Sequence, residues 1–249
     1  MNFLVINSVT HSYELYLFLE KNKNFTVKLP DEVRDNKDDI VILLNDFLQQ
    51  HEVSINKLNF IGAVVGPGSY TGLRVGLALA NSVALALEVP LVGVSLFEIL
   101  IEAWLQNNLL LNNNNEQKSL LQNKSLSSNL VILTTVSNNK GGFFIQLFDS
   151  NNIPLFEPTD LLESNLFYYL KDIKELHVVT NSTKIELQAF LDLNAKIICK
   201  CYEVNEKIIE KAILKKHYAN NSNKFNPIKA LYIKPPKITV GAQQTIRGN

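Results

Sequence analysis

Hydrophobic and polar positions alternate along the first thirty residues in three short runs: Phe3-Leu4-Val5-Ile6, then Tyr13 to Leu19, then Phe25-Thr26-Val27-Lys28-Leu29. Turns rich in Asn, Ser and Lys separate them, which predicts three successive strands in a meander. From Asp38 to Gln50 the period changes. Ile40, Val41, Leu43, Leu44, Phe47 and Leu48 recur at helical spacing behind two acidic residues, the arrangement of an amphipathic helix whose N-terminal dipole favours negative charge. Leu58 to Val65 reads as a buried strand and is followed by a glycine-rich turn. A long helix over 72–88, a short strand Leu91-Val92-Gly93-Val94 and a helix from Ser95 come next. The order is βββ-α-β-α-β-α.

Between Gln106 and Asn129 the pattern fades into Asn, Gln, Ser and Lys with scattered Leu, including Asn112-Asn113-Asn114-Asn115. Such a segment buries too little apolar area to offset chain entropy, so it reads as a loop between two halves. Periodicity then returns as strands over 130–136 and 143–148, a helix over 161–170, a strand over 176–180, a helix over 184–191, a strand over 195–201 and a helix over 204–216. Four segments result: a first half over 1–105, the loop 106–129, a smaller α/β half over 130–234, and a tail over 235–249 in which Pro235 and Pro236 end regular structure.

Composition narrows the function. The 249 residues are 46% hydrophobic and 19% charged, enough for a real core. Lys plus Arg (24) balance Asp plus Glu (24) and no long basic block occurs, which disfavours binding of nucleic acid by the chain alone. No apolar run reaches the ~18 residues of a membrane span, and a signal-peptide pattern is missing, so a cytoplasmic protein without membrane contact is expected. Cys199 and Cys201 stand two apart on a predicted strand, poor disulfide partners for each other, and are expected as buried reduced thiols. His11, His51, His177 and His217 are dispersed, with no pair at metal-binding spacing. Asp38-Asp39 and the acids from Glu157 to Asp160 suit helix starts better than an acid–base pair. No metal, cofactor or catalytic dyad is expected.

The informative segment is Val64-Val65-Gly66-Pro67-Gly68-Ser69-Tyr70-Thr71-Gly72-Leu73-Arg74-Val75-Gly76, where a strand feeds a glycine turn that opens a helix. Ser69 or Thr71 can cap the helix amides, and such a junction can hold an anion. The Gly-Lys-Ser/Thr end of a Walker loop and the glycine spacing of a dinucleotide fingerprint are both missing, which weakens a phosphate role. Beyond the turn Gly72, Gly76, Ala80 and Ala84 recur every four residues between Leu73, Leu77 and Val83. That row allows close approach of a partner helix, or equally of the chain's own sheet. Arg74 suits pairing either with a partner carboxylate or with the chain's own acids.

These residues resemble a known family. Gly66 to Leu77, continuing through Glu88-Val89-Pro90-Leu91-Val92-Gly93-Val94-Ser95, looks like the hallmark of TsaB (YeaZ), the bacterial partner subunit in threonylcarbamoyladenosine modification of tRNA. Leu231-Tyr232-Ile233-Lys234-Pro235-Pro236 is similar to the closing stretch of that family. The resemblance implies an α/β, actin-like and Hsp70-like (ASKHA) fold of two βββαβα-type halves. It implies a non-catalytic subunit that docks through helices of its first half on the catalytic subunit TsaD, with a TsaE-like ATPase in a larger complex and tRNA contacted only through the complex. By that analogy Leu44, Phe47, Gly72, Leu73, Arg74, Gly76 and Ala80 form the interface, beside the motif turn of Gly66, Pro67, Gly68, Ser69 and Thr71. A homodimer through the same helices is a further expectation.

Two departures stand out. The family's first strand usually ends in Asp-Thr-Ser, whereas this chain has Asn7-Ser8-Val9; an Asp-Ala-Arg-like stretch is replaced by Val136-Ser137-Asn138-Asn139-Lys140. Loss of the first carboxylate argues against ATP chemistry. The alternative from the enzyme class is an actin-like ATPase or sugar-kinase-like phosphotransferase using the loop from Gly66 to Thr71. A peptidase needs a nucleophile with a base, or a metal cluster, and the sequence displays neither.

Overall fold

Phe3–Asn7 (β1) is a continuous apolar run ending in Asn, and all five residues are buried, as a strand covered on both faces requires. In this computed structural model, which describes residues 1–9, 13–20, 23–29, 39–111, 130–137, 142–149, 151–161, 170, 173–181, 196–220 and 224–234, β1 is the centre of a five-stranded sheet. Tyr13–Leu19 (β2) pairs antiparallel with it and Lys23–Leu29 (β3) with β2, while Phe60–Gly66 (β4) and Leu91–Ser95 (β5) add in parallel on the other side. The order is β3-β2-β1-β4-β5. The crossovers Asp39–Gln50 (α1) and Tyr70–Ala86 (α2) both advance in the same direction along the sheet. Right-handed connection therefore puts both on one face. Leu96–Leu111 (α3) leads to the second half.

The second sheet repeats the design. Leu130–Ser137 (β6) and Phe143–Asp149 (β7) pair antiparallel, Thr159–Asp160 (β8) continues from β7, and Glu175–Thr180 (β9) and Lys196–Cys201 (β10) add in parallel. Read from β8, its order is β8-β7-β6-β9-β10, the same topology as the first sheet. The fold is the expected two-half α/β architecture, with the same strand order in both sheets.

Several expectations need correction. The last helix, Glu206–Asn220 (α4), and the segment over 224–234 were expected in the second half, yet they pack on the first: Ile208, Ile209, Ala212 and Ile213 belong to the larger core. Val5 and Ile213 meet across Gly62, whereas Ile6, the next residue of β1, faces α2. Side chains alternate along a strand, so α4 covers the face opposite α1 and α2. Helix α3 continues to Leu111, past the expected loop start at 106. Asp160 does not start a helix; it sits in β8, 2% exposed, with the Lys234 ammonium 3.1 Å away. Cys199 and Cys201 are free but exposed, because β10 is a sheet edge. The expected helices over 161–170 and 184–191, the loop over 112–129, the stretch 138–140, His11 and the tail 235–249 lie outside the described residues, apart from Leu161 and Leu170.

Candidate docking site and the glycine turn

Gly66 closes β4 at φ +120°, a conformation open to glycine, with the Leu231 carbonyl 3.0 Å from where a Cβ would sit. Its bond to the buried Pro67 is cis. At Gly68 a Cβ would lie 2.2 Å from the Val9 carbonyl oxygen, so the turn is pressed against the end of the β1 segment. The Ser69 N–H donates to that same oxygen at 2.9 Å, and the Ser69 hydroxyl caps the helix by accepting from the Gly72 N–H at 3.3 Å. The Leu73 N–H reaches the Ser69 carbonyl at 2.8 Å. Three amides that an anion would need are directed at the chain's own oxygens. Ser69, not Thr71, is the cap; Thr71 is exposed in the first turn.

Helix α2 has two distinct sides. Gly72, Leu73, Gly76, Leu77, Ala80 and Ala84 are buried within this chain, and a Cβ on Gly76 would sit 2.0 Å from Ser8 Oγ. The small-residue row therefore lies on its own sheet. Leu44 and Phe47 of α1 are likewise core residues. Of the expected interface set, Leu44, Phe47, Gly72, Leu73, Gly76 and Ala80 are interior and only Arg74 is on the surface. Four-residue spacing of small side chains specifies closeness of approach, not what approaches. The outer sides carry a different set. Val41 and Ile42 on α1 are 54% and 56% exposed, and Leu85 on α2 is 59% exposed, near exposed Ala78, Ser82 and Ala86. Val41 and Ile42 fall on a stripe otherwise made of Asn45, Asp46 and Gln49, an anomaly that subtraction of the core stripe reveals in sequence.

Among the described residues, Arg74 meets aromatic groups. Its guanidinium carbon stands 4.4 Å from the centroid of the Tyr70 ring, and it donates to the Tyr232 hydroxyl, the principal cause holding its pKa above the usual arginine value. Tyr232 belongs to a strap over 224–234 that runs back across the first half. The Leu231 N–H donates to the Val65 carbonyl at 2.7 Å, and the Asn81 side chain both donates to and accepts from the Ile228 backbone, at 3.2 and 3.1 Å. Lys234 then reaches Asp160 in the second half.

At the end of β1, Asn7 Nδ2 donates to Glu14 Oε2 at 2.7 Å, the Tyr16 hydroxyl donates to the same oxygen at 2.7 Å, and Lys28 lies 3.2 Å from Oε1. Burial first, and the Glu14 charge second, push the Tyr16 hydroxyl far above its ordinary pKa. A carboxylate with its own donors thus stands beside the position where the related motif carries Asp.

Residues 30–113 match the family model described as TsaD, tRNA N6-adenosine threonylcarbamoyltransferase. The tRNA threonylcarbamoyladenosine biosynthesis protein TsaB of Buchnera aphidicola (subsp. Baizongia pistaciae) is 36% identical over 86 residues, 34% of this chain and 38% of that protein. TsaB of Escherichia coli is 30% identical over 108 residues, 43% of this chain and 46% of that protein. Over this first-half segment the chain is similar to TsaB (YeaZ) proteins. In fold, YeaZ from Pseudomonas aeruginosa matches with a TM-score of 0.57 at 11% identity, over 88% of this chain and 93% of that one. The sequence matches to the two TsaB proteins span less than half of their lengths, whereas the fold match to YeaZ runs through both halves.

Proposed function

We propose that this chain is a non-catalytic subunit in tRNA threonylcarbamoyladenosine biosynthesis that docks on a TsaD-like transferase through the outer faces of α1 and α2. The exposed apolar side chains of Val41, Ile42 and Leu85 carry the reading. Both helices fall inside the segment that matches the transferase model, so the partner has a homologous segment to offer. Two such faces pressed together would withdraw apolar surface from water by near-symmetric pairing. The inward-directed turn amides and the Glu14 carboxylate support a role without bound nucleotide phosphate, against the ATPase alternative. With balanced charge, tRNA is contacted only as part of the complex.

The test is co-purification with the transferase of the same organism, followed by a tRNA threonylcarbamoylation assay. Wild type is expected to form a one-to-one complex that activity requires. Ile42→Asp and Leu85→Asp are expected to weaken it by on the order of 2 kcal/mol each while leaving the melting temperature of the isolated chain unchanged, since both side chains are exposed. A complex indifferent to both substitutions would sink the docking face, and modification that proceeds without the chain would sink the role. Self-association lost in the same two variants would assign these faces to a homodimer.

A further inference from the structure

Trp104, the single tryptophan of the chain, is 5% exposed on α3, which packs against β6 and β9. Its indole N–H donates to His177 Nδ1 at 3.0 Å, and the two rings meet edge to face with centroids 5.6 Å apart. An indole can only donate, so Nδ1 has to accept. The proton of a neutral imidazole then sits on Nε2, which lies 2.9 Å from Glu175 Oε1. Both ring nitrogens are therefore used, one as acceptor and one as donor. The His177 side chain is 16% exposed, and Ile132 of β6 and Ile198 of β10 flank it in register.

A second proton on the ring would go to Nδ1, the nitrogen that the indole N–H already engages. Donor would then face donor, and a buried indole N–H would lose its acceptor. The Glu175 bond survives the same event, because Nε2 donates in either state. That carboxyl is held below the usual range by the His177 hydrogen bond first of all, against the effect of burial, with Lys196 at 3.4 Å from Oε1 adding to it. It therefore stays charged in mild acid and attracts an imidazolium. Among the described residues, the other charged groups on the elements packed against the ring are Lys200, further along the same face of β10, and Glu98 and Glu102 of α3, which pair with Lys216 and Lys215 of α4.

We propose that His177 is a proton-sensitive latch between the two halves: as neutral imidazole it ties α3 to the second sheet through Trp104, and as imidazolium it gives up that bond while keeping Glu175. Helix α3 is rooted in the first core through Phe97, Leu100 and Ile101, which Ile132 and Val179 of the second sheet also join. Release thus removes a polar tie from an apolar contact and loosens the end of α3 that follows Trp104. This inference is independent of the docking face.

Proton–nitrogen NMR of the full chain tests it, since one tryptophan gives one indole N–H resonance. Between about pH 8 and about pH 5, the range in which an imidazole ordinarily takes up its proton, that resonance is expected to lose its hydrogen-bonded shift. Over the same range the indole N–H and the amides over 105–108 should exchange with deuterium roughly tenfold faster, after correction for intrinsic rates, as an unmade buried hydrogen bond implies. His177→Gln supplies a carboxamide that accepts from the indole and donates to Glu175 at any pH, so it should keep the bonded shift throughout. Trp104→Phe, with no indole donor, should show faster exchange over 105–108 that no longer responds to pH. Melting curves at neutral pH check that both variants are folded. An indole resonance unmoved across the range overturns the proposal. So does the same transition in His177→Gln, which would trace it to another group such as His217.

Discussion

A single methyl group separates the two readings of the small-residue row. On Gly76 it would meet Ser8 Oγ at 2.0 Å, whereas Ala78, two positions on, is exposed. Gly76→Ala is therefore expected to destabilise the isolated chain by about 1–3 kcal/mol through overpacking, and Ala78→Gln to leave stability within about 0.5 kcal/mol; urea unfolding of the two variants measures both. A second residue-scale outcome concerns pH. His217 stacks on Phe60 with ring centroids 4.2 Å apart, and burial lowers its pKa. The unfolded chain then takes up this proton first as pH falls, so the His217 contribution is intact above the ordinary histidine pKa of ~6.5 and declines below it. His217→Phe should flatten that part of the melting-temperature profile between mildly acidic and neutral pH. The glycine turn and a cap at Ser69 or Thr71 were legible in sequence, since local backbone chemistry specifies them, and the structure selects Ser69. The inward direction of Gly76 was not, because it depends on Ser8, far away in the chain.

At the scale of elements, the strands and helices of the first half follow the periodicity closely. Helix α3 outlasts the onset of Asn-rich composition, and within it the Asn107 and Asn108 side chains donate to the Ala103 and Trp104 carbonyls, one turn back. The same helix is tied to the second sheet: the Trp104 indole N–H donates to His177 Nδ1 at 3.0 Å, and His177 Nε2 lies 2.9 Å from Glu175. The strap is the element that sequence reading assigned to the other half. Its proline-bounded motif reads as an ending, yet Tyr232 engages Arg74 and Lys234 engages a buried Asp160. Lys234→Met removes an ion-pair partner of that carboxylate and is expected to cost up to about 3 kcal/mol, whereas Tyr232→Phe, losing one exposed hydrogen bond, should cost about 1 kcal/mol or less. Thermal melts of the two variants, side by side, read this out.

For the whole molecule, the path of the chain matters more than its division into halves. The first core is completed by α4, which arrives from the far end of the sequence with Ile208, Ile209 and Ile213. A fragment ending at residue 111 is accordingly expected to lack a cooperative melt, because the sheet face that α4 covers would stand in water; cooperative unfolding of that fragment would contradict this account. The sequence by itself determined the elements of the first half, the glycine turn with its cap, and the family resemblance, all of which depend on near neighbours: periodicity, φ at glycine, hydrogen bonds over three or four residues. Only the tertiary structure decided which side of α1 and α2 faces water and where α4 and the strap return. Those arrangements depend on contacts between residues tens to hundreds of positions apart, set by which apolar faces bury one another, and a local pattern serves several such pairings equally well.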